Sequence, residues 1–387
     1  MRRPSRRRGA ASRTGALAAA SLLAACALTA PARATPPYVF PRPGTEQTPK
    51  HYVCHRTPAS PAVDGRLDER AWTAAEWTDP FVDIEGESRP APRYETRVKM
   101  LWDDECFYVA AEMEEPHVWA KLTERDAVIF YDNDFEVFMD PDSDTHEYYE
   151  LEVNAFGTEW DLLLTRPYRD GGTAIDSWDI QGLRTGIHVA GTLNDPSDVD
   201  EGWSVELAIP WSVLGECAHK PAPPEDGDQW RVNFSRVEWR TEAVDGGYEK
   251  LADPETGRPL PEDNWVWSPQ GPVNMHYPEM WGFVQFSTAP AGESEVAFAR
   301  DPDHDTRAAL MELYYAQREH HGNHGTYAAS SEELGLGVPP LAVLNWPPTI
   351  HVTPTTYEAT LPAPDGGTWH LTHDGHLWHV PREEPPN

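Results

Sequence analysis

Acidic and amide side chains alternate with apolar ones along two neighbouring segments, Asp134–Asp140 and Tyr148–Ala155. A period of two is typical of β-strands, in which successive side chains point to opposite faces of a sheet. If the two strands pair, their polar faces bring together Glu136, Glu150, Glu152 and Asn154. Such a concentration of oxygen acceptors suits sugar hydroxyls or a hard cation, although a solvated sheet face would show the same pattern.

A very acidic turn joins these two segments. Its carboxylates alternate along the chain and a glutamate ends it: Asp140, Asp142, Asp144 and Glu147. Carboxylates spaced in this way can converge on calcium, but the turn lacks the length and the mid-loop glycine of an EF-hand. The pattern predicts either a structural calcium site or a plain solvated turn, and no cofactor is required.

Aromatic residues accompany the polar strands. Proteins bind sugars by stacking aromatic rings on C–H faces and by hydrogen-bonding hydroxyl groups to carboxylates and amides. The residues that would supply both kinds of contact are Tyr131, Trp267 and Tyr277 together with Glu136, Glu152, Asn154 and Asn233. The alternative for each ring is an ordinary place in the core.

Glu136 and Glu152 also define an enzymatic alternative. Glycoside hydrolysis needs one carboxylic acid and one carboxylate that face each other across the scissile bond, and these two glutamates are the candidate catalytic pair. The chain contains no G-x-S-x-G, H-E-x-x-H or P-loop pattern. Acidic sheet faces are also common in proteins that are not enzymes, so binding without turnover is expected in preference to glycoside hydrolysis, which is the enzyme class to consider.

The rest of the chain predicts an all-β fold. With 38 prolines, 27 glycines and 16 tryptophans in 387 residues, short strands and many turns are favoured over helical bundles. Further strands are predicted at Tyr94–Trp102, Cys106–Met113, Gly182–Leu193, Gly202–Ile209, Gln229–Trp239, Trp265–Ser268 and Met280–Ser287. No crossover helices separate them, so the expected architecture is an antiparallel β-sandwich over residues 51–290.

Residues 1–34 are predicted to be a signal peptide, and the proline-rich residues 35–50 a linker. Six arginines precede an Ala/Leu-rich run from Ala16 to Ala30. Leu23–Cys26 is similar to a bacterial lipobox, which would leave Cys26 lipidated and attach the protein to a membrane, whereas Ala32–Ala34 would release it. We therefore expect export to the periplasm, the cell surface or the medium.

The charge of the chain limits its partners. Removing the seven arginines of residues 1–34 takes the formal charge from −33 to −40. Such a charge repels nucleic acid and anionic membrane surfaces, and it favours neutral ligands or cations. Cys54, Cys106 and Cys217 would remain, which allows at most one internal disulfide.

Residues 291–387 are predicted to form a small α+β domain. A helix capped by Asp305 would end at Gly322, and Thr349–Thr353, Tyr357–Leu361 and Thr368–Val380 would follow as a meander. The sequence gives this domain no function and identifies no protein partner.

Several motifs of residues 52–288 together resemble carbohydrate-binding module family 9, of the exported stand-alone kind. The opening run Val63–Trp72 (VDGRLDERAW) is followed in the same order as in the family by Val98–Val109, Asn133–Asp140, Gly202–Trp211, Trp230–Phe234 and Trp281–Val284. The resemblance implies a β-sandwich that holds a mono- or disaccharide between aromatic and polar side chains, with structural calcium in several members.

The resemblance also implies roles for single residues. Glu136 and Asn233 correspond to the ligand-binding glutamate and asparagine of the family. Its first clamping tryptophan corresponds to Phe130 or Tyr131, and its second falls near Met275, His276 and Tyr277. Glu152 replaces an arginine. Either the ligand differs, or Tyr131, Trp267, His276 and Tyr277 rebuild the aromatic platform, or the sandwich has lost sugar binding and contacts another polypeptide.

Overall fold

The computed structural model describes residues 37–43, 48–339, 341, 343 and 345–382. The predicted signal peptide, including Cys26, lies outside this part of the chain. The described residues contain three α-helices, which are α1 (Arg70–Ala74), α2 (Trp211–Leu214) and α3 (His304–His324). They also contain short 3-10 helices at Gly86–Ser88, Ile129–Tyr131, Tyr168–Asp170 and Pro278–Met280.

Strands dominate the described chain, which confirms the predicted all-β class. The first ten are β1 (His51–Arg56), β2 (Val82–Asp83), β3 (Thr96–Trp102), β4 (Cys106–Glu114), β5 (Asp134–Asp140), β6 (Tyr148–Asn154), β7 (Glu159–Leu164), β8 (Ala174–Ile175), β9 (Arg184–Ala190) and β10 (Gly202–Pro210). The others are β11 (Gln229–Glu238), β12 (Thr241–Val244), β13 (Gly247–Lys250), β14 (Asp263–Val266), β15 (Gly282–Pro290), β16 (Thr349–Val352), β17 (Tyr357–Pro362), β18 (Thr368–Thr372) and β19 (Leu377–Val380).

Thirteen of these strands form one sheet that folds over on itself. Its order is β8-β7-β6-β5-β11-β15-β1-β3-β4-β10-β9, with β14 paired to β11 and β2 to β14. One hydrophobic core is shared by side chains of β5, β6 and β11 and by side chains of β3, β4 and β10, among them Val137, Leu151, Phe234, Met100, Val109 and Leu207. The two halves of the sheet therefore pack face to face as the predicted β-sandwich.

One strand departs from the antiparallel pattern. β1 lies between β15 and β3 and is parallel to both, with His51 opposite Phe283 and His55 opposite Leu101. The alternation of side chains along a strand does not encode the direction of its neighbours, so the sequence pattern could not show this.

The last part of the chain consists of α3 and a four-stranded sheet in the order β16-β17-β18-β19. The helix starts after Asp303 and ends before Gly325, which has φ 72°, so both predicted ends, Asp305 and Gly322, lie inside it. A Cβ on Gly322 would lie 2.2 Å from the ring of Tyr38. This glycine is therefore explained by close packing and not by a helix end.

The acidic turn contacts this C-terminal sheet. The Thr145 hydroxyl donates to the carbonyl of Gly375 at 2.8 Å, and the Leu377 amide donates to the carbonyl of Asp144 at 3.1 Å. Both described parts of the chain thus share a boundary at the end of β5. Cys54, Cys106 and Cys217 are all free thiols. Within the described residues, no helix combines the length and apolar character needed to cross a bilayer.

Candidate functional site

The polar face predicted for the two acidic strands exists in the sheet. In the β5–β6 ladder Glu136 lies opposite Glu152, and in the β5–β11 ladder it lies opposite Ser235. Four carboxyl groups share this outer face, and we call them the carboxylate floor: Asp134, Glu136, Glu150 and Glu152. Each is at most 5% exposed, while the alternate residues of the same strands fill the sandwich core.

Burial and mutual repulsion favour the protonated form of the four floor carboxyl groups. Loss of water raises the pKa of Glu136 to about 7, and the negative charge of Glu262 contributes to this rise. Burial, together with the charge of Glu136, raises the pKa of Glu150 to about 8. The pKa values of Asp134 and Glu152 are raised well above their ordinary values for the same two reasons.

Only part of the floor is satisfied by hydrogen bonds. Glu152 Oε2 accepts from the amide of Phe130 at 2.9 Å, and Asp134 Oδ1 accepts from the amide of Val237 at 3.1 Å. Asp134 Oδ2 and Glu150 Oε2 have no hydrogen-bond partner among the described residues. Oxygen atoms of Asp134, Glu136 and Glu152 lie within 4.8 Å of one another. The floor therefore has free acceptor capacity.

Exposed tyrosines stand at the two ends of the floor. Tyr131, which is 55% exposed, follows Phe130 at the Asp134 end, and its ring is 4.7 Å from that of Phe130. Tyr168, which is 46% exposed, lies at the other end, where burial and the charges of Glu150, Asp176 and Glu152 raise its pKa to about 12. The two rings thus border the buried carboxyl groups.

Two residues beside the floor, Lys250 and Tyr168, were not predicted from the sequence; together with Tyr131 they form what we call the rim. Lys250 lies over the ring of Tyr131 at 5.6 Å and over that of Trp239 at 3.3 Å, and burial lowers its pKa to about 8. Tyr168 begins the short 3-10 helix that follows Pro167. Neither residue has a periodic pattern around it, so no sequence feature placed either of them beside the floor.

Phe130 has a supporting position. It is half-buried and packs against the cluster of Trp119, Val237, Trp239 and Tyr248. Its carbonyl accepts from Trp239 Nε1 at 2.8 Å, while its amide holds Glu152. Of the two residues predicted to take the place of a clamping tryptophan, Tyr131 is therefore the one whose ring faces solvent.

The two predicted amide ligands are bonded within the protein. Asn154 donates to the Leu122 carbonyl and to Asp132, and its oxygen accepts from the amides of Phe156 and Thr158. It therefore stabilises the β6–β7 turn.

Asn233 is engaged in the same way. Its amide group donates to the carbonyl of Ser268 and accepts from the Ser268 amide, both at 2.9 Å. Because both amides are buried and occupied, the structure does not bring them to the floor as free ligand groups.

Two of the predicted aromatic contacts lie in separate clusters. Trp267 is 1% exposed and packs in the sandwich core, where Gly282 leaves room for its ring. Tyr277 is 2% exposed and belongs to the C-terminal core, with its hydroxyl bonded to the carbonyl of Pro41 at 3.1 Å. Their burial prevents both rings from stacking on a ligand.

His276 lies next to the rim. Its Nδ1 is 2.8 Å from the hydroxyl of Tyr148, and its ring meets that of Tyr168 edge to face at 4.5 Å. It therefore packs against the Tyr168 ring and helps to hold it in place. Among the five rings predicted for the platform, Tyr131 is the one that combines exposure with a place beside the floor.

The acidic turn brings three of its four predicted metal ligands together. Oxygen atoms of Asp140, Asp142 and Asp144 lie within 4.8 Å of one another. Glu147 is exposed, has φ 46° and is not part of this group. Asp140 accepts from the amides of Ser143 and Thr145, at 2.8 and 3.0 Å. The three aspartates fit an oxygen-coordinated cation, whereas Glu147 does not.

The proposed catalytic pair does not have the arrangement of a glycosidase. Glu136 and Glu152 lie side by side on adjacent strands of one sheet face. Hydrolysis requires the two carboxyl groups on either side of a sugar bond, about 5 to 9.5 Å apart. The arrangement therefore favours binding over turnover.

The comparison with known families agrees with the motifs. Residues 63–227 match the sequence profile described as carbohydrate family 9 binding domain-like. A family 9 carbohydrate-binding module from Caldicellulosiruptor kristjanssonii, solved with cellotriose and with glucose, is 17% identical; the match covers 64% of this chain and 99% or 100% of that one, at TM-score 0.39.

A putative carbohydrate-binding protein from Bacteroides uniformis is 18% identical, over 62% of this chain and 100% of that one, at TM-score 0.43. No curated protein matches the chain. The resemblance to carbohydrate-binding family 9 that the motifs predict is thus confirmed, and it is carried by residues 63–227.

Proposed function

We propose that the protein is an exported carbohydrate-binding protein that holds a mono- or oligosaccharide at the carboxylate floor without turning it over. The observation that carries this proposal is the pair of exposed rings, Tyr131 and Tyr168, at the two ends of a row of buried carboxyl groups. The match of residues 63–227 to a carbohydrate-binding family supports it.

The chemistry of this surface suits sugar hydroxyl groups. Tyrosine rings stack on the apolar C–H face of a pyranose, and the floor supplies oxygen atoms for its hydroxyls. Because the pKa values of Glu136 and Glu150 are raised to about 7 and about 8, both carboxyl groups carry a proton for part of the time near neutral pH. Each can then donate a hydrogen bond as well as accept one.

Calorimetric titration of the full chain with a panel of mono- and oligosaccharides tests the proposal. We expect saturable heat for at least one sugar, and a loss of affinity of about tenfold in Tyr131→Ala and in Tyr168→Ala, since a stacked ring contributes roughly 1–1.5 kcal/mol. Tyr38→Ala removes another exposed tyrosine and is the matched control. Binding heat that remains unchanged in both Tyr131→Ala and Tyr168→Ala would mean that the sugar binds elsewhere. If no sugar of the panel gives heat, the proposal is wrong.

Export and lipid attachment are part of the same proposal, and they rest on the sequence of residues 1–34. In a bacterial host we expect the chain in the membrane fraction, with the mass of a lipidated Cys26, and we expect Cys26→Ser to abolish lipidation. Intact residues 1–34 on a cytoplasmic protein would contradict export. An unlipidated product that starts after Ala34 would contradict lipidation alone.

A structural calcium ion at the acidic turn is a further part of the proposal. What supports it is the convergence of Asp140, Asp142 and Asp144. Calcium would neutralise these charges where the turn meets the C-terminal sheet. We expect calcium to raise the melting temperature by a few degrees in the wild type and by less in Asp142→Asn.

A further inference from the structure

We infer that the carboxylate floor itself binds a hard divalent cation, through Asp134, Glu136 and Glu152. These residues come from two adjacent strands, and one oxygen atom of each lies within 4.8 Å of the others. This inference goes beyond the proposed sugar binding and does not depend on it, because the cation site consists of protein atoms alone.

The close packing of the three carboxylates has to be balanced by positive charge. Carboxylates that lie this close together and away from water repel one another, and they are stable only with protons or a cation among them. Glu262 adds further negative charge near Glu136. The nearby guanidinium of Arg236 is engaged by Glu115 and Glu238, and no described salt bridge reaches a floor carboxylate.

Independent evidence comes from two side chains that border the three ligands. Glu150 and Ser235 are 5% and 0% exposed, and Glu150 Oε2 and Ser235 Oγ lack a hydrogen-bond partner among the described residues. Ser235 lies directly opposite Glu136, and Glu150 lies two residues before Glu152 on the same face. Because buried polar atoms are nearly always bonded, these unpartnered atoms indicate a ligand at this place.

The acidic turn provides an internal comparison. There, both oxygen atoms of Asp140 accept amide hydrogens, and Asp144 accepts from the His146 amide and contacts the His376 ring. The protein itself thus satisfies much of that cluster. In the floor, by contrast, Asp134 Oδ2 has no hydrogen-bond partner among the described residues. The protein's own groups therefore explain the floor cluster less well than they explain the acidic turn, and a cation would supply the missing contact.

The donor atoms define the class of ion. Carboxylate and hydroxyl oxygens favour hard cations, and no sulfur or imidazole donor belongs to the cluster. If each side chain supplies one oxygen atom, the three carboxylates with Glu150 and Ser235 offer five, fewer than the six to eight oxygens that calcium takes. Water, or the hydroxyl groups of a bound sugar, would complete the coordination.

Titration of the chelator-treated full chain with CaCl2, MgCl2 and MnCl2, without any sugar, tests the inference. We expect at least one cation to bind, and Glu136→Gln and Glu152→Gln each to weaken this binding at least tenfold. Asp142→Asn is the matched control, because it alters the acidic turn and leaves the floor intact. The floor site should persist in this variant.

Folding of the variants is checked by their melting temperatures without metal. Removing one buried charge relieves repulsion, so Glu136→Gln should melt at or above the wild-type temperature in chelator, and it should gain less stability than the wild type or Asp142→Asn when the metal is added. Binding lost in Asp142→Asn but kept in both glutamine variants would overturn the inference. So would binding of glucosamine at the floor with no metal binding, since the occupant would then be an amine.

Discussion

Glu206 illustrates how one buried side chain can organise the start of the sandwich. Its Oε2 accepts from the amides of Asp64 and Gly65, at 2.8 and 2.7 Å, and its Oε1 accepts from the indole of Trp72. These three partners belong to Val63–Trp72, the first of the motifs that resemble the family. The glutamate therefore holds that motif against β10.

Glu206→Ala should destabilise the protein by about 3 kcal/mol, because it leaves the Gly65 amide and the Trp72 indole without an acceptor and removes one of the two acceptors of the Asp64 amide. Urea denaturation monitored by tryptophan fluorescence measures this loss. Glu201→Ala, at an exposed position, is the control and should change the free energy of unfolding by less than about 0.5 kcal/mol. Equal effects in the two variants would show that the three hydrogen bonds contribute little.

His276 should make the protein sensitive to acid. Burial and the nearby Arg169 guanidinium lower its pKa to about 3. Because the unfolded histidine titrates near about 6.5, the unfolded state takes up a proton below that pH which the folded state does not, and stability falls as the pH drops from 6.5 towards 3. At pH 5 the difference amounts to about 2 kcal/mol.

His276→Gln should therefore lose less stability between pH 7 and pH 5 than the wild type, by up to about 2 kcal/mol. Chemical denaturation at both pH values gives this comparison. The exposed His351→Gln should behave like the wild type. If His276→Gln showed the wild-type loss, another group would have to cause the acid sensitivity.

Alternation in the sequence correctly predicted which face of a strand each side chain occupies. It did not predict which side chains are already hydrogen-bonded within the protein. Glu136 and Glu152 lie on the predicted face. Asn154 lies there too, but its amide is taken up by the β6–β7 turn. Trp267 is in the core because Gly282, far along the chain, makes room for it. Such long-range contacts leave no local pattern.

The Val63–Gly65 turn packs closely on β9 because that strand has a glycine, Gly186, at the point of contact. A Cβ on Gly186 would lie 2.6 Å from the Gly65 nitrogen and 2.7 Å from that of Asp64. Both are backbone atoms in a turn that Glu206 holds, so neither can move aside easily.

Gly186→Ala should therefore cost about 1–3 kcal/mol of stability, as overpacking does elsewhere. The change is measured from the denaturation midpoint. Gly247→Ala is the control, because the atom nearest to its added Cβ would be 4.0 Å away. A Gly186→Ala protein as stable as this control would mean that the turn shifts freely on β9.

Strand positions were more predictable than strand partners. The bounds of β5 agree with prediction at both ends, because alternation and the following turn residues are local features. The parallel neighbours of β1, and the folding of one sheet into two layers, depend on contacts between distant segments. The family resemblance implies the sandwich, but it did not predict the parallel strand.

The sandwich and the C-terminal part of the molecule are joined by an ion pair whose carboxylate is buried. Asp170, which follows β7, accepts from the hydroxyl of Tyr314 at 2.6 Å and pairs with Arg318, both on α3. The Asp170 side chain is fully buried. The described residues from Tyr38 onwards belong to one compact unit.

Wild-type protein should therefore unfold in one calorimetric transition, whereas Asp170→Ala should lower the stability of the C-terminal part by about 3–5 kcal/mol. The transition of this part should then separate to lower temperature. Asp198→Ala, an exposed change, should retain the single transition. Two transitions already in the wild type would mean that this ion pair does not couple the two parts.

The position of β1 determines when the molecule can fold. This N-terminal strand is held between β3 and β15, and its register joins His51 to Phe283. During synthesis, β1 and β3 emerge long before β15 exists, so the sheet stays open, with unpaired strand edges, until most of the chain has been made. Pairing over so long a loop is slow, and the open edges invite association with other chains. Nascent chains should consequently become protease-resistant only after β15 has left the ribosome.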